Sequence, residues 1–187
     1  MLSHLQHQLH FMCKVRSAGL QNWLQNKGKI VFLRSQFTTD SRMAFEVREA
    51  TTDEEILACW DTVRALRPHV KEENFLPQIR KQQAEGYRLM YIENPEVKKV
   101  QSICGFREYT MLWSGRTIYI DDLSTLPEGR GKGYGGALLD WVIKYYKDNG
   151  FDNLGLDSGH TRHTAHRLYL NKGFDINSHH FVYTGNN

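Results

Sequence analysis

Polar and apolar residues alternate through Ala44–Ala50, with Phe45 and Val47 on one side and Glu46 and Arg48 on the other, the two-residue period of a half-buried strand. Thr52 is followed three residues later by Glu55, a capping box. Ile56, Cys59, Trp60, Val63 and Leu66 then recur at helical spacing, which predicts a helix running to about Arg67, where Pro68 stops it. Phe75, Leu76 and Ile79 predict a second helix over about Glu72–Glu85, closed by Gly86. Tyr87–Glu93, Val100–Leu112 and Thr117–Thr125 read as three strands. They are separated by Asn94-Pro95-Glu96 and by Trp113-Ser114-Gly115-Arg116, so consecutive antiparallel pairing is the simplest arrangement.

The period then lengthens again. Leu138, Leu139, Val142, Ile143 and Tyr146 predict a helix over Ala137–Tyr146 ended by Asn149-Gly150. Asn153–Ser158 reads as a fifth strand, Thr164–Asn171 as a short helix closed by Gly173, and Phe174–Thr184 as a last strand region. The order β-α-α-β-β-β-α-β-α-β describes a mixed α/β domain, in which the strand–helix–strand unit from Thr117 to Ser158 is parallel and right-handed.

Composition narrows the function classes. The 187 residues are 40% hydrophobic, enough for a core, and no apolar run is long enough to span a bilayer, so a membrane role is not expected. The net charge of +3 is unevenly placed. Residues 1–42 hold Lys14, Arg16, Lys27, Lys29, Arg34 and Arg42 against Asp40 alone, which leaves the body slightly acidic and without the clustered basic face that nucleic acid requires. Cys13, Cys59 and Cys104 are widely spaced and form no C-x-x-C pair. This points to neither a disulfide framework nor a thiolate zinc site, and it suits a reducing compartment such as the cytoplasm. The basic, acid-poor 1–42 stretch has the composition of a transit peptide, which would direct the chain to mitochondria. It reads equally as an upstream extension before a domain that begins at Met43.

Candidate chemistry concentrates after the fourth strand. Arg130-Gly131-Lys132-Gly133-Tyr134-Gly135-Gly136 joins a strand to a helix, so unpaired backbone N–H groups and the positive end of the helix dipole converge on one anion site. The glycines permit close approach, and Arg130 and Lys132 add charge. The spacing is neither that of a P-loop nor that of a Rossmann fingerprint.

In this context the turn resembles the acetyl-CoA motif of the GNAT acetyltransferase superfamily, [RQ]-x-x-G-x-[GA], here Arg130, Gly133 and Gly135. Ala165, Tyr169, Gly173 and Phe174 likewise resemble the family's A-x-x-x-Y-x-x-x-G-F signature. The resemblance covers about residues 44–184. It implies a single GNAT-like α/β domain, a mixed and mostly antiparallel sheet of six or seven strands flanked by about four helices. It also implies acetyl-CoA as co-substrate. The backbone of Leu123, Ser124 and Thr125 would meet the pantetheine arm, and Arg130, Gly131, Lys132, Gly133, Tyr134, Gly135 and Gly136 the pyrophosphate. Tyr169 would protonate the departing thiolate. Arg162 departs from the Asn often found seven positions before that tyrosine.

An alkylammonium must lose a proton before it can attack a thioester, so a base is required. Asp121 and Asp122, at the end of the fourth strand, are the candidates. Strict alternation sends their carboxylates to opposite faces unless a bulge intervenes, which places Asp121 with Tyr119 and Leu123 and Asp122 with Ile118 and Ile120. Asp157, His166 and His180 are candidates for lining the acceptor pocket. The histidines do not have the spacing of a metal site, and none is assigned. The stretch Arg162–Tyr169 is similar to small-molecule members of the superfamily, aminoalkylphosphonate acetyltransferases among them. The expected acceptor is a small-molecule primary amine. A protein lysine or N-terminal amine, or a non-catalytic acyl-CoA-binding domain, is the alternative. Assembly stays open, with a homodimer as one option.

Overall fold

A computed structural model of the chain describes residues 45–185; the reading of 1–42 as an extension lies outside them. The elements are β1 (Arg48–Glu49), α1 (Asp53–Ala58), α2 (Trp60–Leu66), α3 (Glu72–Ala84), β2 (Tyr87–Asn94), β3 (Lys99–Met111), β4 (Gly115–Thr125), α4 (Tyr134–Asp148), β5 (Asn153–Leu156) and α5 (His163–Asn171). The five strands form one sheet in sequence order. The first four are antiparallel and β5 runs parallel to β4.

Alternation on the strands sorts two cores. Tyr87, Leu89, Tyr91 and Ile103 face α1–α3 and pack with Ile56, Cys59 and Phe75. Met90, Cys104, Phe106, Ile118 and Ile120 face α4 and pack with Leu138, Leu139 and Val142, with Tyr169 of α5 packed alongside. The capping box forms as expected: Glu55 N–H donates to Thr52 Oγ1 at 3.3 Å, and Thr52 N–H donates to a Glu55 carboxylate oxygen at 3.0 Å.

Three sequence expectations change. The helix predicted to run to Arg67 breaks at Cys59, whose N–H takes the shorter-range bond to Ile56 O, so two helices stand where one was read. The cofactor-side helix begins at Tyr134 rather than Ala137. Its first turn accepts Gly135 and Gly136 because β4 and α5 lie close: a Cβ on Gly135 would sit 3.3 Å from Thr125 Oγ1 and 3.7 Å from Leu168. Among the described residues there are five strands, not six or seven. Phe174–Thr184 has strand-forming residues but pairs with no strand edge, and Ile176, Phe181, Val182 and Tyr183 stand exposed. A strand needs a ladder partner as well as a pattern.

Candidate active site

The sheet opens beside β4. Pairing between β4 and β5 runs from Thr117 with Asn153 to Ile120 with Leu156 and stops there, while β4 continues to Thr125 with β3 as its remaining partner. The edge of β4 that carries Leu123, Ser124 and Thr125 therefore faces a gap rather than a strand, as a bound strand-like arm requires. Ser102 Oγ donates to Ser124 O at 2.8 Å and fixes that stretch from the β3 side. At the end of β5, Ser158 Oγ is buried with no partner among the described residues, a hydroxyl that a ligand atom would satisfy.

The glycine turn closes the same gap. Gly131 and Gly133 have φ of +76° and +91°, and Gly133 is the left-handed N-cap of α4 with no side chain capping it. Ala137 N–H bonds to Gly133 O at 2.9 Å, so the N–H groups of residues 133–136 have no intrahelical partner and are free for an anion. A side chain at Gly131 would meet nothing within 4 Å, so the surface there is open to a bulky phosphate group. Arg130 ties the turn back to β4 through Nε and Thr125 O at 3.4 Å. The residues present fit a CoA pyrophosphate and pantetheine. Tyr169 lies on this side, half-buried against Phe174 at 6.1 Å between ring centroids. Burial, with the neighbouring Cys104, raises its pKa, which keeps the phenol protonated at neutral pH.

On the other face β4 carries a bulge. Gly105 pairs with Asp122 and Phe106 with Ile120, leaving Asp121 as the extra residue. The bulge shifts the alternation by one. Leu123, not Asp122, joins Ile118 and Ile120 on the α4 side, and Asp122 turns to the α1–α3 face, where Tyr87 meets it. Both carboxylates thus share a face, which corrects the alternation reading.

Their partners differ. Asp122 Oδ1 accepts from Arg67 Nε at 2.9 Å and its Oδ2 from the Tyr87 hydroxyl at 3.0 Å. Asp121 Oδ2 accepts from Arg107 Nε at 2.8 Å, while Oδ1 has no hydrogen bond among the described residues. Burial outweighs the Arg107 pairing and raises the Asp121 pKa above the usual carboxylate value. A cavity of about 180 Å³ between α2, α3 and the bulge is lined by Val63, Arg67, His69, Tyr87, Asp121 and Asp122 among others. A shallower groove of about 520 Å³ includes neither aspartate, and its Arg88 is already paired with Glu49 at 2.7 Å and Glu108 at 3.5 Å.

The acceptor-side candidates separate. Asp157, just past β5, accepts from the Tyr119 hydroxyl at 2.6 Å, and the same oxygen lies 2.7 Å from His180 Nδ1, which brings the C-terminal segment against the end of β5. His166 packs edge-on against His163 at 6.2 Å and makes no hydrogen bond to Asp121, Asp122 or Asp157. No cluster among the described residues could hold a metal ion. Sequence reading missed Arg67, Tyr87 and Arg107. The available signal was Gly105 in the middle of a strand, which marks a bulge or a close backbone approach.

A sheet split after its fourth strand, with a glycine turn at a helix N-terminus and a half-buried tyrosine packed on the same core, is the frame of an acyltransferase fold. The chain belongs to the acetyltransferase (GNAT) family, whose model matches residues 50–174, and acetyl-CoA is that family's usual co-substrate. It is 31% identical over 137 residues to the uncharacterized N-acetyltransferase YhdJ of Bacillus subtilis (strain 168), covering 72% of this chain and 95% of that one. Solved structures share the fold. An acetyltransferase of Trypanosoma brucei matches with a TM-score of 0.62 at 16% identity, covering 75% of this chain and 99% of that one. A ribosomal-protein-alanine N-acetyltransferase of Brucella melitensis matches with a TM-score of 0.63 at 12% identity, covering 74% and 99%.

Proposed function

We propose that this chain transfers the acetyl group of acetyl-CoA to a primary amine of a small molecule, by direct attack of the neutral amine on the thioester. The observation that carries this reading is the β4 bulge, which presents a carboxylate with an unengaged oxygen, Asp121 Oδ1, beside a small cavity and next to the gap that suits pantetheine. Asp121 binds the acceptor's ammonium and receives its proton, directly or through one water, and its raised pKa brings it closer to that task than an ordinary aspartate. A peptide left out of the ladder at the bulge offers an N–H to the thioester carbonyl oxygen as negative charge develops there.

As the new C–N bond forms and the C–S bond breaks, the nitrogen sheds its second proton to solvent and Tyr169 gives its own proton to the sulfur, so the product is the neutral amide and CoA leaves as the thiol. Turnover is completed when the tyrosine is reprotonated from solvent and Asp121 releases the amine's proton. The cavity's size favours a compact amine over a folded protein surface. Mixing the protein with acetyl-CoA and a panel of small amines should release thiol only when a suitable amine is present, with the N-acetyl product identified by mass. Acetylation of lysine-containing peptides with no small amine accepted would overturn the reading.

A further inference from the structure

A bulge inserts a residue that the ladder does not hold, so whatever fixes its conformation must come from side chains. In β4 those side chains converge from three distant parts of the chain, Arg67 of α2, Tyr87 of β2 and Arg107 of β3. Arg67 is the C-cap of α2 and donates twice: Nε to Asp122 Oδ1 at 2.9 Å and Nη2 to the backbone carbonyl of Asp121 at 2.9 Å. Tyr87, 3% exposed, fills the other oxygen of Asp122 from β2. Its phenol crosses β3 over Gly105, the residue paired with Asp122, and a Cβ there would fall 1.7 Å from the Tyr87 oxygen. Gly105 thus leaves the room by which Tyr87 reaches one oxygen of Asp122, while Arg67 holds the other.

We propose that Arg67 is a positioning residue for acetyl transfer, its guanidinium fork clamping the β4 bulge through the Asp122 carboxylate and the Asp121 carbonyl so that Asp121 stays aligned on the acceptor. Asp122 is the anchor of this clamp and not a second base, because both of its oxygens are engaged. Arg67 also lines the acceptor cavity, so one residue joins the acceptor-side helices to the reacting strand. A lysine keeps the charge but cannot donate to two acceptors in that planar geometry. Small displacements at a reacting centre cost large factors in rate.

The proposal rests on the acetyl-transfer reading, and two readouts in the full chain separate them. In Arg67→Lys, kcat for amine acetylation should fall tenfold or more, calorimetric affinity for acetyl-CoA should stay within twofold of wild type, and amide hydrogen exchange at Asp121–Leu123 should speed up. Tyr87→Phe keeps the ring in the core and should move both readouts in the same direction by less. Wild-type kcat in Arg67→Lys would overturn the clamp. So would a loss of kcat with unchanged exchange, since Arg67 would then act on the acceptor itself. A wild-type protein that acetylates no amine would defeat the transfer reading, and the exchange measurement would still decide whether Arg67 holds the bulge.

Discussion

The side proposed for CoA is made of backbone: a glycine turn with left-handed residues, a bare helix N-terminus and a strand edge without a partner. The side proposed for the acceptor is made of side chains that meet across the fold, Arg67 from α2, Tyr87 from β2, Arg107 from β3 and two aspartates from β4. The first kind of surface tolerates any side chain that stays out of the way and fails when one intrudes. The second kind depends on particular functional groups and fails when one is trimmed. Substitutions on the two sides should therefore separate binding from turnover.

The largest effect is expected at Tyr169, the proposed acid, packed on the α4-side core. Tyr169→Phe removes one oxygen and should leave acetyl-CoA affinity intact while lowering kcat by about a hundredfold or more, as steady-state kinetics with calorimetry would show. Gly133→Asp should do the reverse. It places a side chain at a φ of +91° and a negative charge at the helix N-terminus, so acetyl-CoA affinity should drop by more than about tenfold while far-UV circular dichroism stays native. A mutant that binds normally would mean the pyrophosphate lies elsewhere.

Asp122→Asn should act mainly on stability. It weakens the bonds to Arg67 and Tyr87 in a site that is largely buried, a loss of about 1–3 kcal/mol by denaturant unfolding. The smallest effect concerns residues 1–42. If they are an extension, a chain beginning at Met43 should fold and bind acetyl-CoA as the full chain does, and loss of folding would mean they pack on the domain.

The same contrast explains what the sequence could reveal. A glycine turn ahead of a helix is demanded by local geometry, so the left-handed Gly131 and Gly133 and the bare N-terminus of α4 were legible in Arg130–Gly136. The helices and the β2–β3–β4 meander followed from periodicity for the same reason, since each is a local pattern. The bulge is not local. It exists because Gly105 on β3 lets Tyr87 of β2 reach Asp122 on β4, a three-strand coincidence that no single window contains. Strict alternation therefore assigned Asp122 to the wrong face. Phe174–Thr184 failed in the opposite way, because its composition suits a strand but a strand partner is a tertiary fact.

The account turns on Asp121 and Asp122 sharing a face while doing different work, and the pH dependence of kcat in wild type and the two Asn variants tests this most directly. Asp121 accepts a proton only when ionised, and burial raises its pKa, so the wild-type rate should fall with decreasing pH along a limb shifted upward from that of an ordinary aspartate. Asp121→Asn should lower kcat and abolish that limb. Asp122→Asn should retain the limb with a smaller loss of rate. Wild-type kcat and an intact acidic limb in Asp121→Asn would contradict the account.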